Sequence, residues 1–342
     1  MSMDELGTDP AGPRRRRAAT GRVSMAMVAA RAGVSGQTVS RVVNDSPRVD
    51  PDTRTRVENA MAELGYRPHR AARALRTGRS QTIGLVVTTL ATVGNSRMLQ
   101  ATAEAAAERG YVLTLVTASH GVAAAFQSLA EQEVDGAIVL NEASAQVASA
   151  EQPNGLRLVV VDAATDAGFV AVHSDHAGGA AAATRHLLSL GHATVHHLAG
   201  PVDSFAAAER ERGWRETLAA AGAAASEPVR GDWSAESGHA AGDALGSASA
   251  VFCANDQMAL GLLRWLAERG RRVPDDVAVV GFDDVPDAAN YRPPLTTIRQ
   301  DFTALAHRAV AALVAEIEGE HAASGPVVVP TILVERESAR SR

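Results

Sequence analysis

From Ser24 the apolar positions fall in helical phase. Met25, Val28, Ala29 and Ala32 share one face at i, i+3, i+4 and i+7, Ser24 stands where the first turn needs a cap, and Gly33 ends the run. After Gly33-Val34 a second cap, Ser35, opens a short helix in which Val39, Val42 and Val43 point inward and Gly36, Gln37, Ser40 and Arg41 outward. Two helices joined by a tight turn containing glycine predict a helix-turn-helix. Asp50 then caps a third helix, with Pro51 at its first position, Val57, Ala60, Met61 and Leu64 as its apolar stripe and Gly65 as its stop. The three stripes can bury one another, so residues 22–68 are expected to form an all-α domain behind a disordered basic tail over 1–21.

The pattern then changes at "YRPHRAARALRTGRS". Pro68 can start a helix of about two turns before Gly78 ends it, too short to be stable alone in water. Residues 69–80 are therefore expected to be a hinge helix and linker that forms conditionally, paired with the same segment of a second chain over DNA. Ala71, Ala72 and Ala74 are small enough for close approach, and Arg70, Arg73 and Arg76 can meet phosphate. A charged linker is the competing reading.

Beyond Gly78, β-rich runs alternate with Ala-rich helical stretches. "TIGLVV", "YVLTLV", "DGAIVL", "RLVVVD", "ATVHHLAG", "SAVFCAN" and "VAVVGFD" read as strands, and 98–109, 179–190, 209–221 and 257–269 as helices between them. This alternation predicts doubly wound parallel sheets covered on both faces, enough for two lobes. The expected division is a body over 81–340, with lobe 1 at about 81–173 and 303–320 and lobe 2 at about 174–300 and 326–338. His196-His197 follows a strand alternation and reads as strand surface.

Charge sharpens the division. Residues 1–80 hold 15 Arg against 8 acids, and the remaining 18 Arg face 31 acids, so a head of +7 precedes a body of -13. Such a split suggests that only the head meets a polyanion. There is no Lys, and every positive side chain is a guanidinium suited to bidentate contacts, although an Arg-rich composition could arise from a GC-rich genome. The run Arg14 to Arg17 adds at most non-specific attraction. With Cys253 alone no intrachain disulfide can form, no apolar run approaches the ~18 residues of a membrane span, and no secretory signal opens the chain. A cytoplasmic location without membrane association is expected.

On the outward face of the second helix, Gln37 can offer an amide to adenine and Arg41 a fork to guanine. Ser35, Thr38 and Ser40 place short hydroxyls toward phosphate or base. That face predicts major-groove reading, against the alternative of a merely solvated bundle surface. In the body, ligands of doubly wound sheets bind beyond the carboxyl ends of strands. Thr88, Thr89, Asn141, Asp162, Asn255, Asp256, Asp283 and Asp284 stand there, and Trp233 in "GDWSA" can lie against a pyranose face. Together they suit a neutral, hydroxyl-rich ligand, while each alone could be a helix N-cap.

Residues 22–80 resemble the DNA-binding head of the lactose-repressor (LacI/GalR) family, through "VAARAGVSGQTVSRVVN" and "YRPHRAARAL", and the resemblance extends to about residue 338. It implies that Gly36, Gln37 and Arg41 read bases, that Asn44 contacts phosphate and that Leu75 is a wedge at the hinge. Gly36 departs from the side chain often found at its position, and His69 from the usual Asn. In the body "CANDQMALG" and "GFDD" match sugar-responsive members, and "GDWSAESG" and "PPLTTIRQDF" are most similar to the lactose-responsive ones. The resemblance implies that Asn141, Asp162, Arg210, Asn255 and Asp283 hydrogen-bond a sugar and that Trp233, Gln300 and Phe302 line its cleft, which points to a galactoside. Residues 88–160 are less similar.

No nucleophile elbow, metal-spaced His/Cys group or phosphate-binding Gly loop occurs, so neither enzyme activity, metal nor cofactor is expected. The expected function is a dimeric transcriptional repressor that binds a palindromic operator and is released by a sugar. A purine or other co-repressor response of the same fold, and a cytoplasmic sugar-binding protein, are the alternatives. The resemblance implies a homodimer, since the leucine-heptad helix that joins dimers into tetramers in lactose-responsive members has no counterpart before Arg342.

Overall fold

The computed structural model describes residues 23–44, 46–66, 78–153, 155–163, 169–320 and 325–340. The basic tail over 1–21 and the hinge residues Arg70, Ala72, Arg73 and Leu75 lie outside them. Two compact units divide the chain at residue 76.

The head contains α1 (Met25–Ala32), α2 (Gly36–Val43) and α3 (Pro51–Leu64). Each starts where a side chain accepts from an orphan backbone N–H: Ser24 from Met27, Ser35 from Thr38, Asp50 from Thr53. Gly33 and Gly65 end α1 and α3 in the left-handed region, at φ 66 and 64. Val28, Val39, Val42, Val57, Ala60 and Tyr66 are the centre of the small core.

In the body the order is β1 (Thr82–Val87), α4 (Val93–Glu108), β2 (Val112–Thr117), α5 (Val122–Glu131), β3 (Gly136–Leu140), β4 (Arg157–Val161) and β5 (Val170–Ser174). There follow α6 (His176–Ser189), β6 (His196–Ala199), α7 (Phe205–Ala220), β7 (Val229–Arg230), α8 (Ala235–Ala240), α9 (Gly242–Leu245), β8 (Ala250–Cys253) and α10 (Asp256–Glu268). The last elements are β9 (Ala278–Asp283), β10 (Thr296–Arg299), α11 (Phe302–Glu318), β11 (Val327–Val329) and β12 (Ile332–Val334). Helices α4, α6, α7 and α10 begin upstream of the apolar stripes that announce them, because Thr92, Asp175, Ser204 and Asn255 cap them. The cap, not the first apolar residue, sets the start.

Lobe 1 is a parallel sheet in the order β11-β5-β4-β3-β1-β2, and lobe 2 a sheet in the order β12-β10-β9-β8-β6-β7. Among the described strands only β12 runs antiparallel, against β10. Strands β1, β3 and β4 are near-continuous apolar runs because both faces of the sheet are covered. Helices α4 and α11 pack on one face of sheet 1 and α5 on the other. No described helix is long and apolar enough to cross a membrane.

Two expectations need correction. Residues 326–338 do not all belong to lobe 2: β11 joins the edge of sheet 1, and the chain crosses to sheet 2 only after it. Pro330, with no N–H to give a ladder, breaks the run "VVVPTILV" at that crossing. His197 is not strand surface. It is 1% exposed, stacked on Phe252 at 4.8 Å and near Trp214, and burial holds its imidazole down at about 4.

Candidate functional site

On α2, Gly36, Gln37 and Arg41 are exposed, and Thr38 and Ser40 half-buried. A Cβ built on Gly36 meets nothing within 4 Å, so its missing side chain leaves open space on the outward face. Ser35 spends its hydroxyl as the cap, accepting from Thr38 N at 3.1 Å and bonding Thr38 Oγ1 at 2.9 Å. Asn44 folds back, its Nδ2 donating to Ser40 O at 2.5 Å. The projecting polar side chains are therefore Gln37 and Arg41.

In the body, a cavity of about 50 Å³, open to solvent, lies between the lobes. All eight residues expected there, Asn141, Asp162, Arg210, Trp233, Asn255, Asp283, Gln300 and Phe302, line it. The strand-end rule placed four of them. Asn141 follows β3, Asp162 follows β4, Asn255 follows β8 and Asp283 ends β9. The rule also named residues that do not reach the cavity. Asp256 is buried, accepting from Thr297 Oγ1 at 2.5 Å and Val285 N at 2.9 Å, and Asp284 is held by Arg299 and Arg336 at 2.7 and 2.6 Å. Thr88 and Thr89 lie outside the lining as well.

The local backbone aims these side chains. Asn141, Asp162, Trp233 and Asp283 all have positive φ, at 47, 53, 74 and 118. Such conformations cost on the order of 1–3 kcal/mol in non-glycine residues and persist where the surroundings over-determine them. Trp233 is laid flat on Gly200, where a Cβ would come within 2.3 Å of the indole. Asn255 caps α10 through Met258 N and donates to Trp233 O at 3.0 Å, fixing the same turn.

A buried polar chain crosses the cavity floor. Asp162 Oδ1 accepts from His176 Nε2 at 2.8 Å, and Arg210 Nε donates to His176 Nδ1 at 3.3 Å. Arg210 also donates to Ala254 O, stacks on Phe282 at 3.8 Å and faces Asp283 Oδ1 at 3.7 Å. Gln300 Nε2 donates to Asp283 Oδ1 at 2.7 Å. Burial raises Asp283 to about 6 against the opposing pull of Arg210 and Gln300. For Asp162 burial opposes ionisation too, but His176, Arg210 and Ser174 N hold it below the usual range. Gln300 Oε1 is buried with no hydrogen-bond partner among the described residues.

Lobe 1 contributes residues that sequence reasoning missed: Thr92, Gly94, Asn95 and Met98 from the start of α4. Asn95 is 2% exposed, donates to Thr89 O at 2.9 Å and accepts from Asn141 Nδ2. Its signal was a lone asparagine in the first turn of an Ala-rich helix. Across the mouth, Arg97 of α4 donates to Asp284 O at 3.2 Å and lies over Phe302, and Gln257 of α10 accepts from Val93 N at 3.0 Å.

The chain is 37% identical over 342 residues to the HTH-type transcriptional regulator CelR of Thermobifida fusca, covering 93% of this chain and 98% of that one. The chain belongs to the LacI family. The family model described as bacterial regulatory proteins, lacI family, matches residues 24–69 of this LacI-family protein, and a periplasmic binding protein-like domain matches 184–339. Its identity to the lactose operon repressor of Escherichia coli is 36%, over 92% of this chain and 90% of the repressor. For the HTH-type transcriptional repressor PurR of Pasteurella multocida it is 32%, over 92% and 98%. The lac repressor dimer solved with operator and the anti-inducer ONPF superposes with a TM-score of 0.83 at 35% identity, covering 93% of this chain and 99% of that one. The CelR-cellobiose complex gives 0.70 at 35% identity, over 93% and 100%. The LacI-family architecture thus accounts for the helix-turn-helix head and the two-lobed α/β body described above.

Proposed function

We infer that the protein is a homodimeric repressor acting in the cytoplasm, that α2 reads operator DNA through Gln37 and Arg41, and that a neutral sugar bound between the lobes releases it. No catalysis is part of this reading. One observation carries the sugar: Gln300 Oε1, a buried acceptor without a partner among the described residues, borders a cavity that also presents Asp283, Asp162 and Arg210 and the faces of Trp233 and Phe302. Hydroxyl groups satisfy such acceptors and donors, and pyranose C–H faces suit the aromatic rings. A galactoside is the first candidate, on the strength of "GDWSAESG" and "PPLTTIRQDF". The CelR relative solved with cellobiose makes a β-glucoside the competitor to separate from it.

Occupancy of the cleft would change the lobe angle and, through residues 69–80, the spacing of two heads on a palindrome. A thousandfold drop in operator affinity needs a coupling of about 4 kcal/mol, somewhat above the usual span of allosteric free energies. A thermal-shift panel of lactose, other galactosides, cellobiose and purines tests the reading. A ligand at 100 times its Kd stabilises by about 2.7 kcal/mol. Stabilisation by a purine and by none of the sugars would replace release by sugar with co-repression.

A further inference from the structure

The junction of the lobes carries a residue that its sequence context did not single out, His176. It opens α6 directly after β5, so its backbone enters lobe 2 while its ring reaches a carboxylate at the end of a lobe 1 strand. The ring is 1% exposed, with Phe205 and Phe282 around it at centroid distances of 6.4 and 6.0 Å. Its neighbours assign its proton. An arginine Nε–H can only donate, so Nδ1 is the acceptor and carries no hydrogen, and Nε2 holds the proton that it donates to Asp162. Burial lowers the affinity of the ring for a second proton, Asp162 opposes this, and Arg210 reinforces it.

We propose that His176 is a positioning residue that locks Asp162 of lobe 1 and Arg210 of lobe 2 into one geometry, so that a sugar engaging either residue also sets the lobe angle. The proposal rests on the sugar reading above. An imidazole is rigid, and its two nitrogens cannot move independently. Arg210 is seated on Phe282 and on Ala254 O, and both Arg210 and Asp162 border the cavity. When a hydroxyl draws the guanidinium, the ring must turn with it, and Nε2 leaves or follows Asp162. The carboxylate then reports the change to the end of β4, next to the crossover.

The test uses the full chain, lactose and cellobiose as ligands, and a palindromic duplex selected by the wild-type protein from a random pool. His176→Leu removes both hydrogen bonds, and His176→Gln retains one donor and one acceptor. For His176→Leu the expected result is duplex affinity within about twofold of wild type without sugar, and release at saturating sugar reduced about tenfold, within the usual span of allosteric couplings. His176→Gln should recover most of that release. A residue that only fills space would weaken sugar binding and leave release at saturation complete, and that outcome overturns the proposal. A glutamine variant no better than leucine overturns it as well. If His176→Leu does not fold, nitrogen-15 spectra of histidine-labelled wild type decide: a single Nε2-protonated tautomer supports the lock, and a mixed or Nδ1-protonated ring removes it. A wild type that neither lactose nor cellobiose stabilises or releases brings down the sugar reading and the lock together. A responsive wild type with a fully releasing leucine variant removes the lock alone.

Discussion

The head and the cleft build their functional surfaces on opposite terms. On α2, Gln37 and Arg41 are exposed, while stability is supplied by Val39, Val42 and the Ser35 cap. In the cleft, Asp162, Arg210, Asn255, Asp283 and Gln300 are each under a tenth exposed and bond one another or the turns that hold them. The contrast teaches that the head can change what it reads at little cost to folding. In the cleft, the side chains proposed to meet the ligand are also the ones that hold the structure together.

The largest test of that contrast is Arg210→Ala. It leaves Asp283 buried beside a lost cation and should cost about 3–5 kcal/mol, together with the sugar response, because removing one partner strands the other charge. Urea unfolding and sugar-dependent duplex release measure both, and a variant as stable as wild type would dissolve the comparison. Arg41→Ala is the counterpart in the head. It should weaken operator binding by about 1–3 kcal/mol, relax preference at one base pair, and leave the unfolding midpoint where it was. Binding titrations against a set of single-base-pair variants, with parallel melts, would show whether the two quantities separate.

Asp283→Asn sharpens the comparison through pH. The folded protein holds Asp283 protonated up to about 6, above the usual carboxylate value, so between about 4 and 6 it binds more protons than the unfolded chain. The sign follows: this group's contribution is fully present in acid and is lost as pH rises through 6. An asparagine, neutral throughout, removes this titration, so the variant should lose less stability than wild type between pH 4.5 and 7.5, on top of a pH-independent cost of leaving Arg210 without its partner. It should also bind sugar poorly. Stability curves at pH 4.5 and 7.5 check this, and a gain at the lower pH only would contradict it. The smallest effect belongs to Ser35→Ala, about 1 kcal/mol from the lost cap, seen as a lower melting temperature of the head with the body unchanged.

How much of this was legible in the sequence follows from where each signal lies. In the head, cap, stripe and stop are neighbours along the chain, so α1, α2 and α3 could be read in full. In the body, Asn141, Asp162, Asn255 and Asp283 were reachable because doubly wound topology puts strand ends together whatever the intervening helices do. The same rule swept in Asp256 and Asp284, whose carboxylates turn toward Thr297 and toward Arg299 and Arg336. Arg210 on α7 and Phe302 on α11 have no local signature, and only the family resemblance indicated them. Asn95 and His176 went unseen because their partners, Asn141 and Asp162, are distant in sequence. The splitting of "VVVPTILV" between two sheets was written in Pro330, although nothing in the run says which sheet takes which half.

The positive φ angles of Asn141, Asp162 and Asp283 also bear on redesign of specificity. Such backbone admits glycine, asparagine and aspartate far more readily than other residues, so the alphabet available at these three positions is short. A mutational library spread evenly over the cavity wall would lose most of its members there to misfolding rather than to altered recognition. Thr92, Met98 and Ser204 sit at helix starts or within a helix with ordinary backbone, and they are where a new glycoside preference could be selected while the polar floor stays as it is.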